Sequence, residues 1–133
     1  MRAPKLRRPS ALAVAAVQVP SKCTHKTSTS SGATLYYGSW GAATGPHLSV
    51  TVNSYQSTTS PAFQSAKKYL GQLPHAKRVS GIGSLAWESS QGTVTMVNFV
   101  VGHDVCELGL VTAKPLTSLA PVIALAKAIA AKL

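Results

Sequence analysis

Apolar and polar residues alternate strictly in one segment near the start of the chain. In Leu48–Asn53 the apolar side chains fall on even positions and the polar ones on odd positions. The aromatic-rich segment Thr34–Trp40 precedes it, and the glycine-rich segment 41–46 separates the two. Alternation of this kind predicts strands with one buried face, so we expect the two segments to form a β-hairpin.

The second half of the chain contains three more segments typical of strands. Thr93–Val101 is rich in β-branched residues, and Asp104–Val111 follows it after a Gly-His pair. A shorter strand is predicted at Leu85–Ser89, joined to the next one by a tight turn at Gln91 and Gly92. The three strands would form a meander.

Two segments have the spacing of amphipathic helices. In the first, Ser60 is a candidate cap, Pro61 suits the first helical position and Gly71 suits the end; its apolar face is Phe63, Ala66 and Leu70. The second runs from residue 117 to 133, with an expected Ser/Thr cap and an apolar stripe that we expect to pack on the sheet rather than in a membrane. The stripe is Leu119, Val122, Ile123, Ala126, Ile129 and Leu133.

The element order is therefore ββαβββα. It predicts an α+β fold in which two helices pack on one face of an antiparallel sheet of about five strands. Residues 23–133 are enough for one domain with a core of its own. Residues 1–22 stand apart from this pattern.

The segment 1–22 has the features of a degenerate export leader. Basic residues precede a short apolar run, ALAVAAV, that is too short to span a bilayer. Lys22 directly before Cys23 fits a lipidation site poorly. The segment is interpreted either as a leader or as a disordered basic tail, and membrane association is expected only through it.

The net charge of +10 comes from 13 Lys and Arg against three Asp and Glu. Five of the basic residues precede Cys23, and the others are scattered along the domain rather than grouped with aromatics. Nucleic-acid binding domains usually carry a dense basic stripe. A mildly basic surface is the simpler interpretation, and nucleic acid is not the expected partner.

The two cysteines, Cys23 and Cys106, are far apart in sequence. In an exported protein such a pair is expected to form a disulfide, whereas in a cytosolic protein it would be two unrelated buried thiols. Cys23 and His25 could also contribute to a Cys₂His₂ metal site, but the paired spacing of zinc sites is missing. We therefore expect a disulfide and no metal.

The segment Val79–Trp87, VSGIGSLAW, also matches the dinucleotide-binding pattern, with Asp104 about twenty residues further on. No buried strand is predicted before it and no helix after it. The sequence instead predicts that Gly81 and Gly83 adopt positive φ in a turn that leads into a strand.

With the meander and the closing LAKAIAAKL, this segment resembles a group of small actinobacterial exported proteins and lipoproteins of unknown function. The resemblance covers residues 23–133 and is strongest after Val79. It departs at Ser84, where such turns often carry an acid, and at Lys22. It implies an extracytoplasmic, envelope-associated domain and brings no catalytic residue with it.

Candidate catalytic groups are scarce. Glu88 and Glu107 could face each other across the meander, but paired carboxylates alone are weak support for hydrolysis. His103 and Cys106 would project to opposite faces of a strand, and no G-x-S-x-G motif is present. We expect no enzymatic activity and no cofactor.

The aromatic residues provide the remaining candidate surface. Tyr and Trp offer a large face with a polar tip, which suits contact with a glycan, lipid or protein. The candidates are Tyr36, Tyr37, Trp40 and Tyr55.

The expected function is a non-catalytic extracytoplasmic domain, secreted or envelope-associated, that binds a cell-envelope component or another protein through its sheet or the 38–46 loop. The alternative is a small basic intracellular protein whose N-terminal arm contacts nucleic acid or anionic membrane.

Overall fold

The computed structural model describes residues 23–30, 33–41 and 45–133, with the backbone alone for 23–30. The predicted leader or tail, residues 1–22, lies outside the described residues, as do positions 42–44 of the glycine-rich segment.

The described chain forms one antiparallel sheet and two helices, which confirms the predicted α+β class. The sheet has seven strands in the order β1-β2-β3-β7-β6-β5-β4. The elements are β1 (Cys23–Ser30), β2 (Ala33–Gly41), β3 (His47–Tyr55), α1 (Pro61–Leu70), β4 (Lys77–Arg78), β5 (Leu85–Gln91), β6 (Val94–Val101), β7 (Asp104–Val111) and α2 (Ala120–Ala130).

Two strands at the edges of the sheet were not predicted. The sequence of β1, CTHKTSTS, has no alternating apolar residues, so only the β-propensity of its threonines indicates a strand. The other edge strand, β4, has two residues and is too short to leave a periodic pattern. Both strands depend on pairing with a neighbour, which cannot be seen in a local sequence pattern.

The larger core lies between the sheet and α2. Even-numbered residues of β3 point into it, as the alternation predicted. Val122 and Ala126 of α2 are buried against the sheet, with Ile123, Ile129 and Leu133 partly buried beside them. We call this side of the sheet the α2 face; its buried hydrophobic strand residues are Trp40, Leu48, Val50, Val52, Ala86, Val97, Phe99, Cys106, Leu108 and Leu110.

The smaller core lies on the opposite side, under α1. Phe63 and Leu70 of the helix pack against Val100 and Val105. We call this side the α1 face. The prediction that both helices share one face is therefore wrong, because α1 and α2 cover opposite faces of the sheet. Consecutive residues of β6 such as Phe99 and Val100 are both buried as a result, one on each face. A nearly continuous apolar run is typical of a strand covered on both faces.

The two helices begin differently. Ser60 caps α1 as predicted, since its Oγ accepts a hydrogen bond from the Phe63 amide at 3.0 Å. In α2 the cap position is Leu119, which has no side-chain cap, so the predicted Ser/Thr cap is wrong. Ser118 Oγ instead accepts a hydrogen bond from the Ala120 amide at 3.2 Å.

Within the described residues, neither helix is long and apolar enough to cross a lipid bilayer.

Candidate functional site

A groove of about 540 Å³ opens on the α1 face, between α1 and the strand pair β4–β5. We call it the basic groove, because three of its side chains are cationic. Its lining residues are Gln64, Lys67, Lys68, Gly71, Arg78, Ser84, Leu85 and Trp87.

The helix supplies two of the cations. Phe63 and Leu70 hold α1 on the sheet, and Lys67 and Lys68 are exposed and line the groove. Both lysines lie in the last turn of the helix, where positive charge is favoured by the helix dipole. The packing that folds α1 therefore fixes which side chains reach the groove.

The third cation, Arg78, is placed by strand pairing. It is paired with Trp87 in the β4–β5 register, and its guanidinium carbon lies 5.4 Å from the centroid of the indole ring. This distance is within the range of a cation–π interaction. The contact holds the guanidinium over the aromatic wall of the groove.

Trp87 also fits closely against the residue that ends α1. A Cβ placed on Gly71 would lie 3.0 Å from Cζ2 of the indole. Gly71 has an ordinary φ of −79°, so its backbone does not require glycine. A side chain at this position would press against the indole ring, so the ring or the end of α1 would have to shift to admit it.

No acidic residue lines the groove. The three acids of the chain all lie in the described part. Glu88 follows Trp87 on β5 and therefore projects to the opposite side, the α2 face. Glu107 lies on β7, two strands away from Trp87. Among the described residues Lys67, Lys68 and Arg78 form no ion pair. Their charge is therefore not neutralised locally.

A row of polar residues leads away from the groove across the α1 face. The strand registers align Tyr37 with Thr51, Thr51 with Glu107, and Glu107 with Asn98. Asn98 is in turn aligned with Trp87. We call Tyr37, Thr51, Glu107 and Asn98 the polar row. Neighbouring members are separated by the strand spacing of roughly 4.8 Å.

The middle of the polar row is poorly hydrated. Burial raises the pKa of Glu107. The pKa of Tyr55, on the same face, is raised first by its own burial and then by the charge of Glu107. Asn98 is 1% exposed, and its Oδ1 has no hydrogen-bond partner among the described residues. The unpaired Asn98 Oδ1 thus belongs to the cross-strand neighbour of Glu107, whose carboxylate is also an acceptor.

The predicted aromatic surface is divided among different places. Trp40 is 1% exposed in the core, so its predicted role as an exposed contact is wrong. Tyr36 packs at the edge of the α2 core. Tyr55 packs edge-on against Phe63, with ring centroids 5.8 Å apart. Tyr37 alone of the four belongs to the polar row.

The structure does not form the predicted Cys23–Cys106 disulfide. Cys106 is a free, fully buried thiol. The strand registers place Thr27, not Cys23, level with Cys106 on β1, and the two strands are three strand spacings apart. A disulfide needs its Cα atoms within about 7 Å, and three spacings alone come to about 14 Å.

The predicted glycine turn is confirmed. Gly81 and Gly83 have φ of +83° and +56°, and the strand β5 follows at Leu85. No helix begins here, so the segment lacks the helix N-terminus that a dinucleotide site uses.

Other suggested constellations are not assembled. Glu88 and Glu107 lie on opposite faces of the sheet. His103 Nδ1 lies 3.7 Å from Asp104 Oδ1, beyond hydrogen-bond distance. Within the described part of the chain, no three His, Cys, Asp or Glu side chains are grouped to hold a metal ion.

Sequence reasoning missed the basic groove. No local sequence pattern brings Lys67 and Lys68 next to Trp87. The two lysines lie ten residues and more from Arg78 in sequence. The sequence offers one signal: the dibasic pair Lys77-Arg78 lies shortly before β5, the strand that contains Trp87.

No protein-family model, no curated protein and no solved structure matches the chain.

Proposed function

We propose that the chain is a non-catalytic extracytoplasmic domain that binds an anionic component of the cell envelope in the basic groove. The observation that carries the proposal is the grouping of Lys67, Lys68 and Arg78 around Trp87 without a neighbouring carboxylate. A groove with one sign of charge concentrates ligands of the other sign.

The lining side chains support binding rather than chemistry. Arginine on an aromatic ring offers a planar fork to a carboxylate or phosphate, and lysines add point charges on flexible stems. The hydroxyl of Ser84 donates a hydrogen bond to the Val100 carbonyl at 3.2 Å. The leader-like segment 1–22 and the resemblance to exported actinobacterial proteins support the extracytoplasmic location.

The affinity is expected to depend on several cations acting together. A single exposed ion pair contributes about 0–1 kcal/mol and is screened by salt. A polymer that places several anionic groups near the groove can engage all three cations at once. An anionic polymer is therefore a better ligand for this site than an isolated ion.

The test measures binding of labelled poly-L-glutamate to the full chain by fluorescence anisotropy. The K67Q/K68Q/R78Q variant removes the charge of the groove. The matched control K114Q/K127Q/K132Q removes the same charge from positions that do not line it. We expect about tenfold weaker binding or more for the groove variant and about twofold or less for the control, at about 50 mM salt.

Equal losses in the two variants would mean that net charge alone attracts the polymer. Unchanged binding in both variants would assign the interaction to the N-terminal arm, which each of them retains. Either result would overturn the proposed role of the basic groove.

A further inference from the structure

The basic groove is lined by two neutral polar side chains besides its cations. Gln64 lies on α1, on the same side of the helix as Lys67 and Lys68, which follow it by three and four positions. Ser84 lies on the strand side of the groove, in the turn that leads into β5. Both residues are exposed, so a ligand in the groove can reach them.

The hydroxyl group of Ser84 already donates its proton within the fold. Its Oγ donates a hydrogen bond to the Val100 carbonyl oxygen at 3.2 Å, and the Ser84 amide donates to the same oxygen at 2.9 Å. A carbonyl oxygen only accepts hydrogen bonds, and a hydroxyl group has one proton to donate. Toward the groove, Ser84 therefore offers the lone pairs of its oxygen, which accept.

The side-chain amide of Gln64 has a defined orientation for a similar reason. Its Nε2 donates a hydrogen bond to the Thr58 carbonyl oxygen at 2.6 Å. The amide oxygen cannot take the place of this nitrogen, because two acceptors form no hydrogen bond. Gln64 Oε1 accepts no hydrogen bond from the described residues. It is the second acceptor that the groove offers to a ligand.

Each wall of the groove thus combines positive charge with one acceptor. Gln64 lies beside Lys67 and Lys68 on the helix, and Ser84 precedes the strand with which Arg78 pairs. The two oxygens are exposed and are hydrated in the free chain. A ligand that displaces this water without supplying a donor loses the hydrogen bonds that the water made.

We infer that the ligand of the basic groove is a polyanion whose repeat unit also carries a free hydroxyl group. This inference rests on the proposed function of the groove. The anionic groups bind to the three cations, and the hydroxyl groups donate hydrogen bonds to Ser84 Oγ and Gln64 Oε1. The cations thus attract any polyanion, and the two acceptors determine which polyanion is preferred.

The test uses two synthetic phosphodiester oligomers of equal length and charge. Oligo(glycerol phosphate) has a free hydroxyl group in each repeat unit, and oligo(trimethylene phosphate) has the same three-carbon backbone without it. Binding of each labelled oligomer to the full chain is measured by fluorescence anisotropy at about 50 mM salt. The result is the ratio of the two dissociation constants, because a loss of folded protein changes both constants alike.

We expect the unmodified chain to bind the glycerol oligomer about threefold to tenfold more tightly than the trimethylene oligomer, as hydrogen bonds at an exposed site imply. Ser84→Ala and Gln64→Ala should each lower this preference by about twofold, and the double variant should abolish it. Ser90→Ala and Gln72→Ala are matched controls, since they change exposed residues of the same types that do not line the groove. They should leave the preference unchanged.

Equal affinities of the unmodified chain for the two oligomers would overturn the inference and leave the proposed function intact. A preference that persists in the double variant would do the same. If the unmodified chain bound neither oligomer, or if K67Q/K68Q/R78Q bound both as tightly as the unmodified chain, the proposed function itself would fail. Gln64→Ala keeps the test decisive even if Ser84→Ala does not fold, because it changes an exposed helix residue.

Discussion

The guanidinium of Arg78 lies over the indole of Trp87, with 5.4 Å between the guanidinium carbon and the ring centroid. On the helix side, Gly71 leaves room for the same ring. The tryptophan is thus held between a two-residue edge strand and the end of α1, and it joins the basic groove to the polar row.

Fluorescence quenching of Trp87 should reveal the charge of the groove. In a Trp40→Phe variant, Trp87 is the only tryptophan. Iodide, an anion, should be concentrated near the indole, and Lys67→Gln with Lys68→Gln should lower iodide quenching by about twofold. Quenching by neutral acrylamide should not change. An equal fall with both quenchers would show that the substitutions change exposure rather than potential.

Alanine substitutions at two glycines of similar φ should have unequal costs. Gly83 and Gly92 have φ of +56° and +60°. A Cβ on Gly92 meets nothing within 4 Å, whereas a Cβ on Gly83 would collide with the Val100 carbonyl oxygen. That oxygen already accepts a hydrogen bond from the Ser84 amide at 2.9 Å, which holds the backbone in place.

Urea unfolding should show a loss of about 1–2 kcal/mol for Gly92→Ala, the cost of a left-handed residue. Gly83→Ala should lose about 2–5 kcal/mol, since the steric conflict adds to that cost. Equal losses would contradict the close approach of the two backbone segments.

The thiol of Cys106 should be inert in the folded chain. It is fully buried, and burial, followed by the charges of Glu107 and Asp104, raises its pKa far above the ordinary range. In a Cys23→Ser variant, where Cys106 is the only cysteine, a thiol reagent should react after unfolding in urea and not in native buffer. Fast labelling of the native protein would contradict the packing of the α2 core.

The titration of Glu107 should make stability depend on pH. Burial raises the pKa of Glu107, so the folded chain binds this proton more tightly than the unfolded chain does. Its contribution to stability therefore falls as pH rises from the ordinary glutamate pKa of about 4.3 through the raised folded value.

Glu107→Gln removes this dependence. The free energy of unfolding of the variant, relative to the unmodified chain, should increase between about pH 4 and about pH 7. Glu88→Gln is the matched control for a carboxylate on the other face. A relative stability of Glu107→Gln that falls over this interval would have the wrong sign and would contradict the burial of Glu107.

The elements visible in the sequence are those with a local periodic signal. Leu48, Val50 and Val52 mark β3 by alternation, and Ser60 with Pro61 marks the start of α1. The segment around Phe99 and Val100 carries no such period because both faces of β6 are covered. The side on which α1 packs was for this reason not predictable from its own amphipathic pattern.

The candidate site depends on strand register, which local patterns do not define. Trp87 meets Arg78 through the β4–β5 pairing, and Glu107 meets Asn98 through β6–β7. The cysteine pairing failed for the same reason. An even number of cysteines suggests a bond, but the registers of β1, β2, β3 and β7 determine the distance.

The central position of the β3–β7 pair makes the two halves of the chain interdependent. Residues 47–55 and 104–111 are remote in sequence, yet their pairing joins the strands before α1 to those after it. Both cores extend across this seam, since each contains residues from before Leu70 and after Val97. A fragment that ended between α1 and β5 would leave its own residues of each core without the partners that cover them. Folding of the sheet is therefore completed only after β7 has been synthesised.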